Sequence, residues 1–320
     1  RRYGTYGTYG TYGTWYRYRQ QYTVLIFWAK ILRPCAMATA RLILSLLTIG
    51  LSRARVEESP RRVLSQNQSQ VFVNLARLPI ATPACSAARW GRVLELVHHL
   101  GAAAHEISAK FRDEGFWGVF GSYYHGAKVN FMWNAICDDE RLANKPSLQV
   151  CEIGFNAGQS AVLFLESGRE TRVLSFDLGD YPWNKKQASA VKAAYGERFD
   201  IIFGNSLETV QNFVAKNKDF KCDVAFIDGA KTRQIRNQDL KNIRRLSTVG
   251  DTLLLFDEAT TMECMNQGDC QSTRQNHYSW GGATLAYYDA VSSGLMKILD
   301  CAWPVGMEGA DGVCKARYAK

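Results

Sequence analysis

The chain has 320 residues, 47% of them hydrophobic, a length and composition ordinary for a globular protein that buries a sizeable core. Its net charge of +9 resides at the amino terminus, because residues 1–62 contain 11 of the 39 Lys and Arg but only 2 of the 30 acidic residues. The rest of the chain carries 28 residues of each sign, which excludes a basic surface for a nucleic-acid backbone, so no nucleic-acid partner is expected.

The amino-terminal segment is predicted to lie outside the working protein. Residues 1–36 begin with Tyr-Gly-Thr triplets, which offer no apolar face, so disorder or a non-native leader is expected; a tyrosine-rich adhesive arm is the alternative. Residues 37–54 have the layout of a signal peptide, with the apolar run Leu42–Leu51 followed by small residues at Ser52 and Ala54. Ten apolar residues are too few to span a bilayer, so no stable membrane span is expected after cleavage.

This layout predicts a protein of the secretory pathway or the extracellular space, or of the cytoplasm if the apolar run is instead a helix packed on the domain. A glycosylation acceptor at Asn67-Gln68-Ser69 and eight cysteines after the predicted cleavage point agree with secretion. Two cysteine pairs flank short segments and are predicted disulfides: Cys264 with Cys270, and Cys301 with Cys314. Cys151 and Cys222 lie beside apolar runs and are predicted to be buried free thiols.

Residues 55–83 are polar and mixed, and are predicted to be a linker with little structure. Residues 84–320 are predicted to form one domain, with a helical lead-in at 84–145 and a core at 146–320. In the lead-in, apolar residues recur at helical spacing from Trp90 to Leu100. A second helical stretch runs from Gly126 to Cys137.

After Pro146, short apolar runs alternate with helical stretches. Five runs have the length of buried parallel strands, and two later ones have the pattern of a hairpin: Leu148–Ile153, Arg172–Phe176, Phe199–Phe203, Val224–Ile227, Thr252–Phe256, then Met296–Trp303 and Gly312–Tyr318. This alternation predicts an α/β fold, in which a Rossmann-like, doubly wound, mostly parallel seven-stranded sheet has helices on both faces and follows the N-terminal helices.

In such sheets ligands bind beyond the carboxyl ends of the strands, so the residues that follow each strand are the candidate site. The first strand leads into Glu152-x-Gly154-x-x-x-Gly158, a glycine turn whose spacing differs from the Gly-x-Gly-x-x-Gly of nicotinamide-binding folds. Glu152 suits the positively charged amino group of an amino acid better than a pyrophosphate. Asp177, after the second strand, suits a ribose diol.

Polar groups also follow the other strands: Asn205 and Ser206 after the third, Asp228 and Lys231 after the fourth, and Asp257 and Glu258 after the fifth. A single group of this kind is usually a solvated loop residue. Since five strand ends on one edge carry such groups, a binding site is the better interpretation.

With these motifs, residues from about 126 to 320 resemble class I S-adenosylmethionine-dependent methyltransferases. Within that class they are most similar to the small cation-dependent O-methyltransferases of the catechol and caffeoyl-coenzyme A type. The segment 150–162 (VCEIGFNAGQSAV) resembles that family's first motif. The resemblance implies S-adenosylmethionine as the cofactor, bound by Glu152, Gly154, Phe155, Asn156, Gly158, Ser160, Asp177, Asn205, Ser206 and Asp228.

In that family an Asp after the fourth strand binds Mg²⁺, and a Lys three residues later takes the proton of the substrate hydroxyl. Asp228 and Lys231 have this spacing, which makes them the predicted catalytic residues. Asp257 and Glu258 would complete the metal ligands with Asp228, although the family has Asn where this chain has Glu258. Coordination of a hydroxyl by Mg²⁺ lowers its pKa, and the same charge would lower the pKa of Lys231.

The sequence therefore predicts O-methylation of a small hydroxylated acceptor, with Lys231 as the base and with Mg²⁺ assistance left open. Two alternatives remain. The first is a catalytically inactive, secreted Rossmann-like binding domain, which the departure at Glu258 keeps open. The second is a nicotinamide oxidoreductase, which the glycine spacing disfavours.

Overall fold

The computed structural model describes residues 68–77, 85–110, 126–168, 170–259, 281–302 and 312–320. The predicted leader and signal peptide, most of the predicted linker, and the segment with Cys264 and Cys270 lie outside the described residues, so the predictions made there stay predictions. Within the described residues, no helix is long and apolar enough to cross a membrane.

Helices and strands alternate along most of the described chain. The helices are α1 Gln68–Arg77, α2 Ala87–Lys110, α3 Gly126–Cys137, α4 Glu140–Ala143, α5 Gln159–Leu165, α6 Asn184–Tyr195, α7 Ser206–Lys216, α8 Arg233–Arg245 and α9 Gly281–Ser292. The strands are β1 Gln149–Ile153, β2 Arg172–Asp177, β3 Phe199–Phe203, β4 Val224–Ile227, β5 Leu253–Ala259, β6 Met296–Ala302 and β7 Gly312–Tyr318.

The strands form one seven-stranded sheet in the order β3-β2-β1-β4-β5-β7-β6. The first five strands in this order pair in parallel, whereas β7 pairs antiparallel with both β5 and β6. The direction of winding reverses between β1 and β4, which is where sheets of this kind bind their ligands. The predicted doubly wound, mostly parallel seven-stranded sheet and its terminal hairpin are confirmed.

Alternate residues of the buried strands face opposite sides of the sheet, so each side has its own core. On one side, Val150 and Phe226 pack with the helices α1, α2, α3, α5 and α6. On the other side, Ile153 and Phe256 pack with α7, α8 and α9. These two layers are the helices on both faces that the sequence predicts.

Helix α1 lies where the sequence predicts a linker with little structure, so that prediction is wrong over residues 68–77. The helix forms because its few apolar residues share one face. Phe72 is fully buried, Val73 and Ala76 are nearly so, and the Phe72 ring lies 6.5 Å from that of Tyr195 on α6. Tertiary burial stabilises a segment whose composition alone favours a loop.

Three disulfides join described cysteines: Cys85–Cys137, Cys151–Cys222 and Cys301–Cys314. The predicted Cys301–Cys314 pair is confirmed, and it links neighbouring positions of β6 and β7. The prediction of free thiols at Cys151 and Cys222 is wrong. Both side chains are buried in the same core on one side of the sheet, which brings together two residues 71 positions apart.

Candidate active site

The turn between β1 and α5 has an unusually tight backbone. Gly154, Asn156 and Gly158 all have positive φ angles, of 99°, 49° and 83°. A Cβ atom on Gly154 would lie 2.4 Å from the carbonyl oxygen of Asp228, so only glycine lets β1 and β4 end side by side here. The predicted glycines therefore leave bare backbone at the switch point of the sheet, as close approach of a ligand requires.

Asn156 and Asp177 hold this turn against the loop that follows β2. The backbone N–H of Asn156 donates to Asp177 Oδ2 at 2.9 Å, and that of Gly179 donates to Asp177 Oδ1 at 2.7 Å. The Asn156 side chain accepts from Trp183 Nε1 at 2.8 Å. Burial raises the pKa of Asp177 despite the N–H groups that favour its ionised form.

Glu152 lies beneath the turn and is fully buried. Its carboxyl group accepts hydrogen bonds from the hydroxyls of Ser160 and of Ser175, the latter at 2.6 Å. Burial raises the pKa of Glu152 to about 7, and the serine hydroxyls only partly oppose that effect. Ser160, also a predicted cofactor residue, is thus turned toward Glu152.

Phe155 is buried, with its ring 5.4 Å from that of Phe199, so only its backbone faces the turn. At the end of β3, Asn205 caps α7 by accepting from the N–H of Leu207 at 3.0 Å. Ser206 Oγ donates to Asp239 Oδ1 on α8 at 2.7 Å, and burial raises the pKa of Asp239 to about 6. Asn205 and Ser206, both predicted cofactor residues, are therefore already engaged in contacts with α7 and α8.

The predicted metal ligands lie together at the ends of β4 and β5, but each contacts a cation. Lys231 Nζ lies 2.7 Å from Asp228 Oδ1 and 2.6 Å from Glu258 Oε1. Asp257 Oδ1 lies 2.5 Å from Lys128 Nζ. Asp257 and Glu258 belong to β5 itself rather than to the following loop, at an irregularity where Glu258 has a φ of 64°.

The contacts of Lys231 within the protein raise its pKa, whereas the lowered pKa predicted from the sequence is that of Lys231 beside Mg²⁺ and stays a prediction. Burial by itself lowers this pKa, but the carboxylates of Asp228 and Glu258 outweigh burial and raise it. In this arrangement Lys231 is an ammonium group that donates hydrogen bonds. Burial raises the pKa of Glu258 to about 7, although Lys231 and Arg236 favour its ionised form.

Arg236 on α8 is a site residue that the sequence analysis missed. It is fully buried and donates to the carbonyl oxygens of Ile227 and Ala230, to Tyr287 Oη, and to Glu258 Oε2 at 3.0 Å. These contacts fix the position of the loop between β4 and α8, which contains Asp228 and Lys231. Several arginines share α8, so no local pattern distinguishes Arg236 from its exposed neighbours.

Lys128 on α3 was missed as well. It is buried, and it reaches Asp257 from a helix that precedes the whole sheet in the chain. A signal for it exists, because Lys128 is the only charged residue of α3. His98 on α2, by contrast, is exposed, and no group of three or more His, Cys, Asp or Glu residues in the described part of the chain is placed to hold a metal ion.

Comparison with known proteins finds similarity to methyltransferases. Residues 151–259 match a family model described as a methyltransferase domain. No curated protein matches the chain significantly. Among solved structures, an O-methyltransferase from Bacillus cereus in complex with S-adenosylhomocysteine is 18% identical over 80% of this chain and 100% of its own, with a TM-score of 0.48.

The O-methyltransferase TomG from Streptomyces achromogenes, of tomaymycin synthesis and in complex with S-adenosylmethionine, is 14% identical over 80% of this chain and 99% of its own, with a TM-score of 0.49. Likeness at this level carries no argument, so what the comparisons show is the family match over residues 151–259. The order of the strands is that of a Rossmann-like sheet. The predicted resemblance to class I methyltransferases is confirmed for residues 151–259.

Proposed function

We propose that the chain is an S-adenosylmethionine-dependent O-methyltransferase acting on a small hydroxylated acceptor. The observation that carries the proposal is the turn at Gly154–Gly158, where two glycines expose the backbone at the switch point of the sheet, beside the carboxylate of Asp177. S-adenosylmethionine, when bound, supplies a methyl group on a positively charged sulfur. Asp177 is the carboxylate available to a ribose diol, and the turn is available to the amino-acid part.

Methyl transfer is a displacement, so the main task of the protein is to align the acceptor oxygen with the methyl group. Lys231 suits this task because 36% of its side chain is exposed, more than that of Asp228, Glu258 or Lys128. Its ammonium group can donate a hydrogen bond to the acceptor oxygen and orient it. The role of Lys231 as the base, which requires it first to lose a proton, stays a prediction.

Binding of the product analogue tests the proposal. The full chain should unfold at a higher temperature with S-adenosylhomocysteine and at an unchanged temperature with NAD. Ligand at about 100 times its Kd stabilises a fold by about 2.7 kcal/mol. A shift with NAD alone would favour the nicotinamide oxidoreductase. A shift with S-adenosylhomocysteine, but no methyl transfer to any of a panel of phenols and other hydroxylated acceptors, would favour the inactive binding domain.

We also propose that the protein folds in an oxidising compartment, as the predicted signal peptide implies. The support is chemical, because three disulfides join six described cysteines and such bonds are rare where thiols are kept reduced. Chain expressed from Met37 with a carboxyl-terminal tag should be secreted without Leu42–Leu51, and its disulfide-bonded cysteines should resist alkylation until a reductant is added. Cytosolic product that retains Leu42–Leu51 would contradict this proposal.

A further inference from the structure

We propose that the acceptor site works without a bound divalent cation, because Lys128 and Lys231 occupy the position and supply the charge that a metal ion would have there. The inference deepens the proposed function and rests on it. It concerns two lysines from different parts of the chain. Lys231 is a predicted site residue, whereas the sequence alone assigns no role to Lys128.

Each carboxylate of the cluster contacts at least one cation. Asp257 lies 2.5 Å from Lys128 Nζ, Asp228 lies 2.7 Å from Lys231 Nζ, and Glu258 lies between Lys231 and Arg236 at 2.6 and 3.0 Å. Three carboxyl groups therefore face three cationic side chains. Mg²⁺ needs oxygen ligands at about 2.0–2.1 Å in octahedral geometry, and an ammonium nitrogen in contact with the same oxygens fills that space.

Burial makes the Lys128–Asp257 and Arg236–Glu258 pairs difficult to open. The exposed fraction is 3% for the Lys128 side chain, 9% for Asp257, 6% for Glu258 and zero for Arg236. A cation that moved away would leave a buried charge without compensation, which costs far more than breaking an ion pair in water. Mg²⁺ would have to displace ammonium groups from a low-dielectric site and also give up its own bound water.

The arrangement also explains how the departure at Glu258 is accommodated. Glu258 is longer than the Asn of the family pattern and carries a charge, and in this fold it bridges Lys231 and Arg236. The ammonium group of Lys231 is consequently held in place by its contacts with two carboxylates, those of Asp228 and Glu258. A fixed positive charge beside the acceptor oxygen would stabilise negative charge on that oxygen.

Titration with Mn²⁺ alone, followed by the loss of its free electron paramagnetic resonance signal, tests the inference on the full wild-type chain. The expected result is no stoichiometric binding, with or without S-adenosylhomocysteine, and methyl transfer unchanged by EDTA. Stoichiometric Mn²⁺ binding that Mg²⁺ displaces would overturn the inference. Because this readout needs no turnover, it stands even if S-adenosylhomocysteine fails to bind and the proposed function falls.

A double variant provides the converse test. Replacing Lys128 and Lys231 with methionine removes both ammonium groups and should create a Mn²⁺ site at Asp228, Asp257 and Glu258. Lys145→Met is the matched control, because it removes the cation beside Asp223, which lies outside the cluster, and should create none. A folded double variant that binds no Mn²⁺ would count against the inference, and if that variant does not fold, the wild-type titration alone decides.

Discussion

Replacing Arg236 with methionine is expected to lower the free energy of unfolding by about 3–5 kcal/mol. The guanidinium group is fully buried and donates to the carbonyl oxygens of Ile227 and Ala230 as well as to Glu258. Methionine fills a similar volume but removes these donated hydrogen bonds and one of the two cations beside Glu258. Urea unfolding followed by circular dichroism gives the free energy directly.

Arg233 on the same helix provides the matched control. It forms an ion pair with Asp289, at 2.5 Å, on the protein surface, and exposed pairs contribute about 1 kcal/mol or less. Arg233→Met should therefore cost far less than Arg236→Met. Equal losses in the two variants would show that Arg236 is not the buried anchor of the loop between β4 and α8.

Replacing Glu152 with glutamine should make stability less dependent on pH and weaken cofactor binding. The pKa of Glu152 is about 7 in the folded protein against an ordinary value of 4.5, so its stabilising protonated form is lost as the pH rises through this range. Glutamine stays neutral. From pH 5 to pH 8 the variant should therefore gain on the order of 2 kcal/mol relative to wild type, at about 1.4 kcal/mol per pKa unit.

The same variant should gain less stability from S-adenosylhomocysteine, because the family resemblance implies that the Glu152 charge faces the amino group of the cofactor. Unfolding curves at several pH values, with and without the ligand, measure both effects. Glu208→Gln on α7 makes the same chemical change at an exposed position and serves as the control. Parallel pH profiles of stability for wild type and Glu152→Gln would refute the expected change in pH dependence. An unchanged stabilisation by S-adenosylhomocysteine would refute the expected loss of cofactor binding.

Local patterns in the sequence were sufficient to predict the strands of the sheet and the glycine turn at Gly154–Gly158. Each strand of the core is a short apolar run, so the predicted bounds of β3, β4 and β7 agree with the structure at both ends. The turn could also be predicted from the sequence, because the positive φ angles at Gly154 and Gly158 favour glycine, and the glycines mark the turn. Such requirements act over a few neighbouring residues, and a sequence displays them directly.

Only the tertiary structure decided which side chains meet at the ends of β4 and β5. Lys128 meets Asp257 from 129 positions away, Arg236 reaches Glu258 across the sheet edge, and Cys151 bonds Cys222 through the core. No periodicity marks these partners, because burial and charge compensation depend on which elements pack together. The sequence by itself therefore predicted the glycine turn at the switch point of the sheet, whereas the packing of α3 and α8 against the strand ends determined that the predicted metal ligands face lysine and arginine.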